Sequence, residues 1–439
     1  MHPFTLAIDD ADTPWGGCTT HALFLTLQDL DGIVELTDYP LLVRLDPAVP
    51  RKTRGNAALV LRGYSSLPVE RLAELVWDRL DSYAAGRRPP GKGPGLAVVP
   101  TNRPWRNPTL RSLYVMGLRD YIPLTVAFRA ARVSGVLAAG GSGVVGAVAS
   151  LASLAPWDPY SFELIAYRDG GERCLNGDPL VESAISAECW GNYDLAKGPI
   201  ASPAGPDPVL AGFRGSSLDC LQAYRGTLCS SPSGWVIFRS NQHTGVHVGF
   251  HMEARPYRSV RLLARVDSPP RIVPGGHVLL EVSGGPTVAF YRETGRLAWA
   301  ARMLAPGDLV IVEGSLIPRQ GSLTLAAEAL TIVRAGQEYE LVAPRCPRCG
   351  SRMKSMGRGK GYRCPKCGYR DPKASPIRVW VQRRIIGGRL TSPPRSARHL
   401  TLFHEARPRR SWSGLPKPLP PRCFYSPGTR LPPIVEGEC

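Results

Sequence analysis

Three features of this 439-residue chain predict a multidomain α+β protein that ends in a small β-barrel and a metal-held ribbon. The chain opens with an apolar run, an acidic loop containing glycines, and then helical periodicity. Five β-rich runs separated by Gly and Pro crowd into about 75 residues of the second half. Two Cys-x-x-Cys pairs follow them. The length suggests roughly three domains. The 43% hydrophobic content is that of a folded soluble protein. No apolar run approaches the ~20 residues that a membrane span needs. The start MHPFTLAIDD lacks the charged region and long apolar core of a signal peptide. A cytoplasmic protein with no membrane partner is expected.

The first unit is expected over residues 1–152. FTLAID reads as a strand, and HALFLTLQDL has the spacing of a helix starting near Thr19 or Thr20. Two strands flank the basic loop PRKTRGN, SLPVERLAELVWDRLDSY is an amphipathic helix, and the small-residue run VLAAGGSGVVGAVASLA closes the unit. The stretch AIDDADTPWGGCTT carries the chemistry. Asp9, Asp10 and Asp12 repel one another unless a cation neutralises them, and oxygen ligands beside a phosphate loop suit Mg²⁺. Gly16 and Gly17 let backbone amides approach a ligand, and the helix start presents free N–H groups to an anion. Together these describe a nucleotide site in which Mg²⁺ joins phosphates to carboxylates. The competing reading is an Asx-rich turn with Thr19 or Thr20 as a helix N-cap. Lys52 and Arg54 are candidate phosphate clamps or a solvated hairpin tip. Gly141 and Gly143 form a candidate second phosphate turn.

Residues 153–257 read as α+β, with strands at SFELIAYR and GWVIFRS. Residues 258–340 hold the five β-rich runs. An OB-fold, a barrel that commonly binds single-stranded nucleic acid, is the leading candidate, and an SH3-like barrel shares the strand count. In residues 341–404, Cys346, Cys349, Cys364 and Cys367 make C-x2-C-x14-C-x2-C. Each C-P-x-C-G knuckle turns two sulfurs onto one ion, and four thiolates in a tetrahedron suit Zn²⁺, with an iron–sulfur site or redox thiols as the alternatives. With four positions filled, that zinc serves folding. Between the knuckles stand Arg352, Lys354, Arg358, Lys360 and Arg363, interleaved with Tyr362, a basic finger for a phosphate backbone. Residues 405–439 are basic and Pro-rich and are expected to be poorly ordered. The other seven cysteines are scattered, which fits a reduced compartment with one metal site better than a disulfide scaffold.

The net charge of +18 is unevenly distributed. Arg345 to Arg422 holds 21 Lys and Arg against the acids Asp371 and Glu405, whereas the remainder has 33 basic and 34 acidic residues. Such asymmetry implies a polyanionic partner, most often nucleic acid. An arginine-rich solvated tail is the plainer reading.

The opening stretch, LVRLDPAVPRKTRGN, GPDPVLAGFRG, IFRSNQHTGVH and PPRSARHLT occur in an order that resembles one family. It is the archaeal agmatidine synthetase of isoleucine tRNA, or tRNA 2-agmatinylcytidine synthetase. The likeness runs from Ile8 to about Leu400, nine-tenths of the chain. It implies an ATP-binding kinase-like domain, a ferredoxin-like domain, an OB-fold and a zinc ribbon. It also implies an ATP-dependent ligase that joins agmatine to C2 of the cytidine opening a CAU anticodon. Phosphorylation would activate the C2 oxygen, and agmatine's amine would displace the phosphate. By the resemblance, the aspartates hold Mg²⁺ on ATP and Thr19, following Cys18, is the autophosphorylated threonine. The family's Asp-Asp-Thr-Asp is departed from at Ala11.

A base in an anticodon loop must swing out to react, and aromatics and arginine typically grip such loops. Phe290, Tyr291, Trp299, Tyr362 and Trp380 are candidates against ordinary packing. Agmatine is a dication, so its pocket needs acids. Asp207 and Asp194 are candidates, with Asn241 and Gln242 as further substrate contacts, while His243 and His247 read as structural. The alternative function is a non-enzymatic RNA- or DNA-binding protein built on barrel and ribbon. It leaves the N-terminal 250 residues without a role.

Overall fold

The computed structural model describes all residues except 14–15, 51, 53–54, 86–91, 185–187, 223, 225, 251–252, 382, 384–386 and 405, and only the backbone of 182–184. Residues 1–150 supply strands β1 (His2–Asp9), β2 (Val34–Leu36), β3 (Leu41–Arg44), β4 (Ala57–Ser65), β5 (Gly95–Val99) and β6 (Leu137–Gly140). Their helices are α1 (Thr19–Asp29), α2 (Val69–Ala84), α3 (Pro108–Gly117), α4 (Leu124–Val133) and α5 (Val144–Ser150). The next segment adds β7 (Ser161–Tyr167), the short pair β8 (Tyr193–Asp194) and β9 (Gly198–Pro199), β10 (Val209–Gly215) and β11 (Gly234–Ser240), with α6 (Asp178–Ala184) and α7 (Leu218–Gln222).

One sheet runs through both segments in the order β10-β7-β11-β3-β4-β1-β5-β6. The join is a short parallel pairing of β11 with β3, Arg239 opposite Leu41 and Ser240 opposite Leu42. β1 lies between β4 and β5 and is buried from Phe4 onward, which is why FTLAI is apolar apart from Thr5, whose buried hydroxyl donates to Thr101 O at 2.6 Å. Helix α2 turns Val69, Leu72, Val76 and Leu80 inward at the three- and four-residue spacing that marks it in the sequence. Beneath the join, Asp38 takes both arms of Arg239 at 2.9 and 2.6 Å and lies 3.7 Å from Arg62. Both arginines also donate to carbonyls of residues 151–154, so the buried charges are paired and hydrogen-bonded.

The next segment comprises β12 (Ser259–Arg265), β13 (Arg271–Ile272), β14 (Val278–Leu280), β15 (Thr287–Phe290), α8 (Arg296–Ala301), β16 (Leu309–Arg319) and β17 (Ser322–Arg334). All five β-rich runs are strands, in the order β12-β16-β17-β15-β14-β13 around a core of Val278, Phe290, Leu297, Val312 and Leu330. β18 (Glu338–Val342) leaves this sheet, and the short strands β19 (Lys354–Ser355), β20 (Tyr362–Arg363) and β21 (Arg370–Asp371) form the cysteine ribbon. β22 (Ile377–Val381) returns alongside β18, and β23 (Arg389–Thr391) pairs with β17.

Two expectations are corrected. The tail is folded: β24 (Tyr425–Pro427) pairs with β11, and α9 (Pro433–Glu436) follows. Leu419, Phe424, Leu431 and Val435 are buried, and Trp412 packs edge-on against Tyr39 and Tyr160. A few apolar anchors hold a segment whose average composition reads as unstructured. Six of the seven scattered cysteines also pair, as Cys174–Cys229, Cys189–Cys220 and Cys423–Cys439, leaving Cys18 outside any disulfide. The pairings join segments 16 to 55 residues apart, so nothing in local spacing marks them.

Candidate active site and metal centre

The acidic loop leaves the C-terminal end of β1, in the middle of the sheet. Asp9 is buried, and Asp10 adopts a left-handed backbone with φ of +57°, uncommon for a residue with a side chain. The Asp10 N–H donates to Asp9 Oδ1 at 2.7 Å. Burial, then the charge of Asp10, pushes the Asp9 carboxyl well above the usual carboxylate range. Burial also raises Asp10, and Asp12 adds to the rise. Desolvation and mutual charge thus both favour the protonated forms of these two neighbouring acids at the end of β1.

Asp12 does something different. Its Oδ1 accepts the Thr19 N–H at 2.7 Å and the Thr19 hydroxyl at 2.8 Å. The Thr19 oxygen in turn accepts the Ala11 N–H at 3.1 Å. The N-cap position of α1 is Cys18, whose side chain does not cap, so Asp12 performs the capping from across the loop. Tyr83 Oη accepts the Cys18 N–H at 3.0 Å and sits 3.1 Å from His21 Nδ1. The hydroxyl of Thr19 is thereby aimed at a carboxylate, the geometry of a nucleophile beside its base.

The glycines act as spacers. Gly16 and Gly17 donate to Thr13 O and Thr13 Oγ1, and Gly141 and Gly143 donate to Pro94 O and Gly93 O. The amides expected to cradle phosphate are thus engaged within the protein. What the glycines permit is close packing. A Cβ on Gly143 would stand 2.4 Å from the Asp9 carbonyl oxygen, and one on Gly146 would stand 1.8 Å from Asp9 Oδ2. Ser142 Oγ donates to Asp10 Oδ2 at 2.5 Å. Ser142 and Gly146 escape sequence reasoning, although both lie in the glycine run that holds Gly141 and Gly143. The GPDPV loop closes the other side, where a Cβ on Gly16 would come within 2.9 Å of Pro206 O.

The remaining substrate candidates divide. Asp207 pairs with Arg173 at 3.2 Å, and Asp194 with Arg395 at 3.0 Å, so each carboxylate already holds a guanidinium. Asn241 clamps both backbone polar groups of Arg44, at 2.8 and 2.9 Å, which is a structural staple between β3 and the end of β11. Gln242 Oε1 accepts Arg44 Nε, while its Nε2 is buried with no hydrogen-bond partner among the described residues. Arg44 also lies 3.6 Å from Glu163, which bonds Arg214. Sequence reading misses this arginine pair because its acid comes from a distant strand. His243 is buried, and burial followed by Arg214 lowers it to about 3; His247 bonds Glu328 at 3.0 Å. Lys52 stands within electrostatic range of Arg398 and Asp46. Arg54 lies outside the described residues.

Cys346, Cys349, Cys364 and Cys367 converge, with all four sulfurs within 4.8 Å of one another. Two of the S···S distances are 3.5 and 3.4 Å, against about 3.8 Å along the edge of a zinc tetrathiolate. The donor set therefore fits zinc. Arg352, Lys354, Arg358, Lys360 and Arg363 are exposed, whereas Tyr362 packs against the cluster. Phe290 is core, and Trp299 and Trp380 are exposed.

Fold and site define a multidomain α+β protein with an acidic loop on its central strand and a four-cysteine zinc ribbon. Models of three domains of one family match it: the TiaS TCKD domain at residues 5–70, the TiaS FLD domain at 141–247 and the TiaS C-terminal zinc ribbon domain at 343–385. The chain is 46% identical to the isoleucine tRNA 2-agmatinylcytidine synthetase TiaS of Acidilobus saccharovorans, covering 90% of this chain and 93% of that one. It is 36% identical to that of Staphylothermus marinus, covering 90% and 92%. The crystal structure of TiaS in complex with its isoleucine tRNA and ATP superposes with a TM-score of 0.80 at 27% identity, covering 92% of this chain and 97% of that one. The complex of TiaS with the same tRNA, AMPCPP and agmatine gives 0.78 at 25%, covering 91% and 96%. The chain belongs to the isoleucine tRNA 2-agmatinylcytidine synthetase (TiaS) family.

Proposed function

We propose that this chain is an ATP-dependent ligase that joins agmatine to C2 of the first anticodon cytidine of a CAU-anticodon isoleucine tRNA. The observation that carries the reading is the acidic loop: two charge-stressed carboxylates beside a threonine hydroxyl already bonded to a third. The alternative of a purely RNA-binding protein explains the ribbon but leaves that loop without purpose. The family's solved complexes, which hold isoleucine tRNA, ATP or AMPCPP, and agmatine, support the same reading. We read the chain as a kinase-like unit (1–152), a ferredoxin-like unit (153–257), an OB-fold (258–340), a zinc ribbon with its basic extension (341–404) and a folded tail, in a cytoplasmic protein.

Asp9 and Asp10 would hold Mg²⁺, which when bound neutralises the triphosphate of ATP during phosphoryl transfer. Asp12 would orient Thr19 and accept its proton as the hydroxyl oxygen attacks the γ-phosphorus of ATP, while the bond from that phosphorus to its bridging oxygen breaks and the nucleoside diphosphate departs. Thr19 carries that phosphate, in line with the family's autophosphorylation. On the base, the C2 oxygen attacks a phosphoryl phosphorus of ATP and displaces the rest of that nucleotide; agmatine's amine then bonds to C2, the C2–O bond breaks so that phosphate leaves carrying the former C2 oxygen, and the amine loses a proton. Ser142 keeps Asp10 pointed into the pocket, and Gly146 leaves room for Asp9. Gln242 Nε2, one of several buried donors without a partner among the described residues, is a candidate to meet a substrate acceptor.

The test is a reconstituted reaction with ATP, Mg²⁺, agmatine and the tRNA transcript, read by mass on the first anticodon nucleoside. Agmatidine formation is expected, with Thr19→Ala abolishing turnover and sparing tRNA affinity. Tight tRNA binding with no mass change under any of these conditions refutes the ligase reading.

A further inference from the structure

The barrel and the zinc ribbon are joined by a two-stranded neck, β18 against β22. Every residue of this pair except Val342 is exposed. A lone two-stranded ribbon is marginal in water, and large exposed apolar side chains on one mark a surface meant for a partner. The register sorts the side chains. Tyr339 lies opposite Trp380 and Leu341 opposite Arg378, so these four share one face. Glu338 and Glu340 fall on the other face with Val379 and Val381. One face is thus aromatic and cationic with no acid, and both acids are on its reverse.

The geometry of the aromatic face is that of a stacking platform. Trp380 is 65% exposed, Leu341 62% and Tyr339 46%. The two rings meet edge-on with centroids 6.0 Å apart, and the Arg378 guanidinium sits 4.5 Å over the Tyr339 ring. The reverse face is tied to the barrel, because Glu338 lies 3.3 Å from Arg383 and Arg383 also pairs with Asp308. That tether engages the reverse face, while the aromatic face stays exposed and carries the Arg378 cation. Nearby positive charge selects a polyanion, and open π-faces select its bases.

We propose that this face stacks an unpaired base of the substrate RNA, with Trp380 as the stacking ring and Arg378 as its cationic flank. The proposal rests on the reading that the substrate is tRNA. It adds a place where the RNA is held by stacking, apart from the phosphate contacts of the basic finger. Stacking on an aromatic ring is nearly independent of salt, whereas phosphate contacts are not.

The experiment measures tRNA binding by full-length, zinc-loaded protein without ATP, across a salt series. Trp380→Ala is expected to weaken binding roughly 5- to 150-fold with the salt slope unchanged. Trp380→Phe is expected to keep most of the affinity, and Trp380→Leu to behave like the alanine variant. Zinc content and melting temperature report whether each variant is folded. Native affinity in Trp380→Ala overturns the proposal, as does full rescue by Trp380→Leu, which would mean apolar contact without stacking. Loss of a dimer by sedimentation, with RNA affinity per protomer intact, would assign the face to a second copy of the chain and overturn it too. Failure of the unsubstituted protein to bind tRNA would instead sink the tRNA reading itself.

Discussion

The acidic pocket and the zinc ribbon solve opposite physical problems. In the pocket, like charges are forced together at the end of a central strand. Glycine contacts at Gly143 and Gly146 fix the geometry from behind, and Asp12 and Tyr83 fix it at the start of α1. In the ribbon, cations are spread over an exposed surface, and the fold under them is a few short strands around four sulfurs. Chemistry on a phosphate, the role proposed for the acidic pocket, needs position held to fractions of an ångström, and backbone from several elements crowding together supplies that. A grip on a flexible polyanion, the role proposed for the ribbon, needs reach and exposure, and a segment with little core that a metal stabilises offers both. The tail shows a third solution, in which sparse anchors and the Cys423–Cys439 link pin a segment to the same sheet.

The contrast is broken most severely by removing zinc. Chelation, or Cys364→Ser, is expected to unfold the ribbon, since structural zinc supplies about 10–16 kcal/mol to such modules. The main unfolding transition of the body is expected to stay in place by calorimetry while tRNA affinity collapses. A shift of the whole melt would mean that the two regions are one cooperative unit.

A smaller and opposite effect is expected from Gly146→Ala. The added methyl collides with Asp9 Oδ2, so the carboxylate or α5 has to move. A displacement near 1 Å costs on the order of 10²-fold in rate. Single-turnover kinetics should show that loss with tRNA affinity unchanged, the reverse of the zinc result. Unimpaired turnover would remove Asp9 from the reacting site.

The smallest expected effect is a pH dependence confined to the pocket. Asp9 and Asp10 have raised carboxyl pKa values, so the folded state binds their protons more tightly than the unfolded chain does. Without a cation, stability therefore falls as pH rises from the ordinary carboxylate range toward those raised values. Mg²⁺ competes with the same protons. At tenfold excess over its Kd it is expected to stabilise the protein by about 1.4 kcal/mol near neutral pH, and by progressively less as the pH is lowered. Melting scans with and without Mg²⁺ from pH 8 to pH 5 check this. An Mg²⁺ effect that is flat with pH, or that survives Asp9→Asn with Asp10→Asn, would place the ion elsewhere.

Much of this chain was legible locally. The four cysteines, the acidic loop, a helix starting near Thr19 or Thr20, helix α2 and the five β-rich runs of the second half all follow from spacing and periodicity, because the groups involved are neighbours in the chain or one turn apart. Only the tertiary structure decided the rest. It made one sheet of two units by setting β11 against β3, brought Gly146 and Ser142 onto Asp9 and Asp10, and gave Asp207 and Asp194 to arginines. It also folded a tail whose composition argued for disorder. These outcomes depend on contacts between residues tens to hundreds of positions apart, and short-range patterns carry the preferences of a segment without naming the partner it will meet.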